Sequence, residues 1–278
     1  MSLGMPDRGP VLRPGTPCWV ELATPDEARA QHFYAALLGW RYDTRPDPVT
    51  GRYAIASLGG EPAAGLYLAG AGQPSGWTVH LAVGNIDAVA EWVPRLGGRR
   101  VLGPADIPHR GTILHATDRS GAPVVFWQLM DTWRFAVGVP GAFAGADLNT
   151  HDGAAADVFY CHLFGYTSMQ IGGDGLDYAE WRLDHLPVLY RYVMGSEYEP
   201  TAQPHWMVYF LIDPARGTDS VAAHATMLGG RVVAPPFDTP YGRTAVLADP
   251  GGATFSVIDH TTAVDGWGRA EVDDPYDD

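Results

Sequence analysis

The 278-residue sequence predicts an α+β fold of four tandem β-α-β-β-β units, grouped as two paired-unit domains. Three observations carry this. Phe33-Tyr34-Ala35-Ala36-Leu37-Leu38-Gly39-Trp40 returns 126 residues on as Phe159-Tyr160-Cys161-His162-Leu163-Phe164-Gly165-Tyr166. Gly97-Gly98 and Gly229-Gly230 close two further helices. Asp118-Arg119-Ser120-Gly121-Ala122 is matched by Asp249-Pro250-Gly251-Gly252-Ala253. A helix after each leading strand, then a run of short strands, is an α+β pattern.

Residues 1–16, rich in Pro and Gly, read as a flexible arm. The first domain is expected over 17–134. Cys18 to Ala23 alternates as a strand. Thr24-Pro25-Asp26-Glu27 opens a helix, with Thr24 as cap and Glu27 completing a capping box. Ala30, Phe33, Tyr34 and Leu37 form its apolar stripe, and Gly39 stops it. Strands follow at Tyr53–Leu58 and Gly65–Ala69 around the turn Gly59-Gly60-Glu61-Pro62. The second unit begins at Trp77–Val83. Its helix spans about Asn85 to Leu96, with an irregular last turn at Pro94. Strands near Gly111–Ala116 and Pro123–Gln128 complete it.

Residues 135–141 read as a linker, and 142–262 as the second domain. There Ala146–Asn149 is the leading strand, and Thr150 is the expected cap of the next helix. Strands follow at Tyr178–Leu183 and Val188–Val193. Trp206–Ile212 matches the strand at Trp77, and its helix is expected to be capped by Thr218. Residues 263–278 are an acidic tail.

Composition narrows the function. The chain is 46% hydrophobic, ample for buried cores. A net charge of −14 argues against nucleic acid and against an anionic membrane surface as partners. Cys18 and Cys161 fall at non-equivalent places and form no CxxC, and a reducing cytoplasm is the expected location. A small-molecule ligand is the expected partner, with the chain a monomer or homodimer. No Gly-x-Ser-x-Gly, phosphate-binding loop or dinucleotide fingerprint is found.

The spacing Asp26…Phe33-Tyr34…Leu38-Gly39-Trp40, repeated at Asp152…Phe159-Tyr160…Phe164-Gly165-Tyr166, resembles the vicinal oxygen chelate superfamily. That group includes glyoxalase I, bleomycin and fosfomycin resistance proteins and extradiol dioxygenases. The Leu-Gly-Gly helix ends and the Asp-Pro-x-Gly turn fit as well, and the likeness covers residues 17–260. It implies the glyoxalase/bleomycin resistance/dihydroxybiphenyl dioxygenase-like fold, with a divalent metal in a cleft between paired units. Its usual ligand positions fall on Trp19, Thr78 and Val125 in the first half and on Gly145, Met207 and Ser256 in the second. None is a usual ligand. The expectation is therefore no metal at that place and no cofactor, the alternative being a divalent ion at a relocated site.

Two positions further along the same strands stand Glu21, His80, Asp147 and Tyr209, on the face where ligands were expected. A carboxylate beside an imidazole or phenol can hold a polar ligand or move a proton, so these four are the catalytic candidates. Each acid can equally cap a backbone group or pair across the domain interface. Weaker ligand-binding candidates are Trp19, Trp77, His109, Glu180, Arg182, Trp206 and Tyr241. The remaining histidines show no metal-binding spacing and read as surface or satisfied polar groups. The expected function is a small-molecule-binding, glyoxalase- or bleomycin-resistance-like protein without the usual metal ligands, sequestering or transforming a metabolite. The alternatives are a metal-dependent glyoxalase-like lyase or dioxygenase/hydroxylase with a relocated site, and a non-enzymatic interaction protein.

Overall fold

The computed structural model describes residues 12–47, 50–130, 133–173 and 175–263. The expected acidic tail, apart from Ala263, and most of the arm lie outside them. The first unit is β1 (Pro17–Thr24), α1 (Glu27–Leu38), β2 (Arg41–Asp47), β3 (Gly51–Leu58) and β4 (Glu61–Leu68). The second is β5 (Gly76–Ala82), α2 (Ile86–Arg95), β6 (Arg99–Ile107), β7 (Gly111–Thr117) and β8 (Pro123–Leu129). The third is β9 (Phe143–Thr150), α3 (Gly153–Phe164), β10 (Thr167–Gln170), β11 (Tyr178–Leu183) and β12 (Leu186–Val193). The fourth is β13 (His205–Leu211), α4 (Thr218–Met227), β14 (Arg231–Thr239), β15 (Gly242–Ala248) and β16 (Thr254–Asp259).

Each pair of units makes one curled eight-stranded sheet, in the orders β2-β3-β4-β1-β5-β8-β7-β6 and β10-β11-β12-β9-β13-β16-β15-β14. The leading strands pair antiparallel at the centre, and each lies parallel to the last strand of its own unit. The sequence pattern does not mark β2, β6, β10 and β14 one by one. They are the four sheet edges, and none of their side chains is fully buried, so no run of core residues marks them.

The helix caps differ from expectation. Asp26 accepts from the Arg29 amide at 3.0 Å and Asp152 from the Ala155 amide at 2.9 Å, so the acids rather than Thr24 and Thr150 are the caps. α1 begins only at Glu27, which leaves Thr24 too far back to reach the third amide. α4 has Gly217 at its cap, and Thr218 sits inside the helix with its hydroxyl donating to the Arg243 carbonyl. Gly39 and Gly165 stop their helices at φ +80° and +72°, the left-handed conformation glycine adopts without strain.

The repeated motifs meet one another across the two halves. The Tyr34 hydroxyl on α1 donates to Asp249 Oδ2 at 3.2 Å, and the Tyr160 hydroxyl on α3 donates to Asp118 Oδ2 at 3.1 Å. The other oxygen of each acid holds its own turn together. Asp249 Oδ1 accepts from Gly251 and Ala253 amides, and Asp118 Oδ1 from Ser120 and Ala122 amides. Phe33 packs on Phe255, with centroids 6.1 Å apart. Trp40, Trp77 and Phe210 interlock edge to face at 5.1–6.2 Å. One continuous apolar core therefore spans both halves.

The second glycine of each Leu-Gly-Gly end belongs to the same joint. A Cβ on Gly98 would come 2.6 Å from the Thr117 carbonyl and 2.7 Å from the Phe159 ring. On Gly230 it would come 2.8 Å from the Phe33 ring. Gly98→Ala is expected to destabilise the chain by about 1–3 kcal/mol through overpacking, read as a lower urea midpoint. An unchanged midpoint would show that the joint yields freely there.

Candidate functional site

Alternation along the central strands sends Val20, Leu22, Val79 and Leu81 into the shared core. Trp19, Glu21, Thr78 and His80 fall on the opposite, concave face. His80 Nε2 lies 3.2 Å from Glu21 Oε1, while the Tyr53 hydroxyl donates to Glu21 Oε2 at 3.1 Å. Trp19 Nε1 donates to the Tyr53 hydroxyl at 2.8 Å, completing a chain from indole to phenol to carboxylate. Burial pushes the Glu21 carboxyl up, but the His80 charge and hydrogen bonds outweigh it, and the group titrates below its ordinary range. His80 is buried, and neither ring nitrogen makes a well-aligned hydrogen bond. His115 stands 6.5 Å from His80, ring to ring, and burial lowers its pKa.

This first concavity is filled. Trp19 is 1% exposed and meets Trp133 edge-on at 5.0 Å and Phe135 at 5.6 Å. Trp133 packs on Trp127 at 4.7 Å and donates through Nε1 to the Cys18 carbonyl. Arg110 lies 5.6 Å over the Trp133 ring. Gly65 makes room for the filling, since a Cβ there would sit 1.8 Å from the Tyr53 hydroxyl and 2.9 Å from Trp19 Nε1.

The second concavity is built differently. Gly145 occupies the place Trp19 holds in the first half, and a Cβ on it would meet nothing within 4 Å. Its register partner across β9 and β13 is Tyr209. The Tyr209 hydroxyl donates to Asp147 Oδ2 at 2.7 Å, and the Tyr178 hydroxyl lies 3.3 Å from both Asp147 oxygens. Among the described residues no cation pairs with Asp147. Burial pushes its carboxyl up to about 7 despite the two phenol hydrogen bonds, which act the other way. Tyr178 stacks on Tyr190 at 5.7 Å and 12°, and Tyr190 meets Tyr241 edge-on at 5.2 Å. These tyrosines are half-buried, so their rings line an accessible wall.

The weaker candidates divide. Tyr241 joins this wall and its hydroxyl reaches Glu180 at 3.5 Å. Glu180 is buried and ion-paired to Arg182 two residues along the same strand. Trp77 and Trp206 lie on the opposite face, in the core between the halves. Their Nε1 groups donate to the Tyr34 hydroxyl and the Pro123 carbonyl, so neither walls a cleft. His109 is exposed at a hairpin tip with φ +61° and touches neither cluster through any described bond. The sequence pattern does not mark Tyr53, Tyr67 (stacked on Tyr53 at 6.4 Å), His115 and Trp133 in the first half, or Tyr178 and Tyr190 in the second. The period-two spacing of Tyr178 and Glu180, and of Tyr190 and Tyr192, is the signal that would have found the last two. Two surface depressions lie apart from both clusters. One, of about 310 Å³, is lined by Arg119, Asp152 and Pro200 among others, and one, of about 370 Å³, by Gly39, Arg41 and Gly59 among others.

Strand pairing also supplies the register that the sequence leaves open. Gly65 opposes Glu21 as Val125 opposes His80, and Tyr190 opposes Asp147 as Ser256 opposes Tyr209. The expected ligand positions are thus Trp19, Gly65, Thr78 and Val125 in one half, and Gly145, Tyr190, Met207 and Ser256 in the other. Among the described residues no three His, Cys, Asp or Glu side chains gather where they could hold a metal ion. This donor set does not fit the three or more preorganised ligands a divalent metal takes. No helix among the described residues is long and apolar enough to cross a membrane.

No family model matches the chain. Curated relatives do. CFP32 of Mycobacterium tuberculosis, provisionally named a glyoxylase, is 37% identical over 266 residues, covering 91% of this chain and 98% of that protein. Anthracycline biosynthesis protein DnrV of Streptomyces peucetius is 32% identical over 263 residues, covering 88% of this chain and 94% of that protein. Among solved structures, the Mn(II)-bound glyoxalase of Novosphingobium aromaticivorans superposes with a TM-score of 0.65 at 15% identity, covering 92% of this chain and 86% of that one. The 2,3-dioxygenase LapB of Pseudomonas sp. KL28 does so with a TM-score of 0.64 at 13% identity, covering 89% of this chain and 93% of that one. These two structures share the fold of paired, curled sheets. With full-length relatives at this identity, the chain belongs to the vicinal oxygen chelate superfamily, as a two-domain glyoxalase-like member.

Proposed function

We propose that this chain binds a small, flat, oxygenated aromatic molecule on the concave face of its second sheet, without chelating it through a metal. The observation that carries this is the contrast between Trp19 and Gly145. One half fills its cleft with an indole, and the other leaves open space at the equivalent point, beside a buried carboxylate held by two phenols. Stacked tyrosines favour a planar ring, and their hydroxyls with Asp147 favour its oxygens. The names of the relatives support the same reading, one being an anthracycline biosynthesis protein and another a glyoxylase.

Quinizarin, a planar dihydroxyanthraquinone, is a suitable probe because its visible absorption responds to its surroundings. Saturable binding of one molecule per chain, unchanged by EDTA, is expected. Gly145→Trp should abolish it by copying the filled half, with circular dichroism unaltered. Binding that needs an added divalent ion, or that survives Gly145→Trp, would refute this assignment.

A further inference from the structure

We propose that Tyr209 and Asp147 form a proton relay that takes a proton from an enolisable ketone bound over Gly145, which makes the second cleft a site of proton-transfer chemistry. The inference rests on the binding site just described. Tyr209 stands directly across the strand pair from Gly145, so a molecule seated over the glycine lies beside the phenol. The Tyr209 proton is committed to Asp147 Oδ2 at 2.7 Å, so the phenol oxygen, which the Ser256 hydroxyl also approaches, keeps its remaining lone pair as the accepting side.

The step balances. The C–H bond next to the carbonyl breaks, and its proton passes to the Tyr209 oxygen as the Tyr209 proton passes to Asp147. The electron pair moves onto the carbonyl oxygen as an enolate. Tyr209 stays neutral throughout, as it must, because burial and the neighbouring Asp147 charge raise its pKa well above the ordinary value. Return of a solvent-exchanged proton from Asp147 regenerates the ketone, so no oxidant or reductant takes part.

Asp147 is suited to the receiving end. A buried acid kept for stability is usually set beside a basic side chain, as Glu21 is beside His80. Asp147 has phenols instead. Tyr209 and Tyr178 bond to it, and Tyr190, Tyr198 and Tyr241 surround it more loosely. Burial without a counter-ion brings its proton affinity near neutrality, where a general base works best.

The test uses 2-tetralone, an aromatic ketone with an acidic C–H, in heavy water, with deuterium uptake followed by NMR. The whole chain is expected to accelerate exchange. Asp147→Asn and Tyr209→Phe should each lower the rate about a hundredfold, within the range general bases contribute, with circular dichroism unaltered. The rate should rise with pH through about 7, as Asp147 ionises, and then level off. If 2-tetralone displaces quinizarin but no exchange is accelerated, or if both variants exchange like the parent, the relay is overturned and the binding site stands. If quinizarin itself fails to bind, the underlying site falls and the relay with it.

Discussion

Asp147→Asn is expected to stabilise the folded chain at pH 8 while removing its proton-transfer capacity. The carboxyl titrates near 3.8 when exposed and at about 7 in the fold. Between those values the folded chain holds a proton that the unfolded chain has released. Stability therefore falls as pH rises through this window, and the full penalty is present above about pH 7. A difference of that size corresponds to about 4 kcal/mol. Asparagine carries no charge, so its variant should lose the slope between pH 4 and 7. Its amide hydrogens need partners the phenols do not all supply, which offsets part of the gain. A net gain of about 1–3 kcal/mol at pH 8 is expected, read from urea midpoints at pH 4, 6 and 8. A parent chain whose stability is flat from pH 4 to 7 would contradict the assignment of Asp147 as a strained, functional acid.

The largest loss is expected from the joint between the halves. Phe159 is fully buried, packed edge-to-face on Tyr160 and set against Gly98 of the other half. Phe159→Ala should cost about 3–5 kcal/mol, a lost transfer energy plus a cavity that Gly98 cannot fill. For a chain of this size that lowers Tm by roughly 10 °C. Because one core spans both halves, a single transition should move as a whole. A calorimetric trace that splits, with the first half melting at its original temperature, would show that the halves are held independently.

The fold was legible because helix-stop glycines and turn acids are local signals, readable at fixed offsets. The same helix register placed Glu21 and Asp147 one step beyond the expected ligands, and the structure brings each to the strand partner named with it. What sequence hid was pairing. Tyr178 and Tyr190 reach Asp147 only through the alignment of β11 and β12 beside β9, and β11 and β12 carry a register shift between Trp181 and Arg182. Trp77 and Trp206 kept a place among the ligand-binding candidates beside their reading as core residues, because alternation gives two faces without saying which is core. The caps of α1 and α3 were misplaced because Thr and Asp are both good capping residues, and only the helix start decides between them. The difference between the two clefts turns on Gly145, a residue whose meaning is the space above it.

The reciprocal bonds of Tyr34 with Asp249 and of Tyr160 with Asp118 have a consequence for how the chain reaches this state. Each links residues far apart in sequence, 215 positions in the first case and 42 in the second. The shorter link can form as soon as α3 emerges, but the longer one must wait for the last unit, leaving Phe33 and Tyr34 uncovered meanwhile. A chain end made early thus depends on one made last, so truncation within the fourth unit is felt at the first helix. The two links also obey the rule of an isologous contact, in which each partner offers the other the same surface. The joint is therefore the kind of seam two separate copies of a single half would form, here closed within one polypeptide.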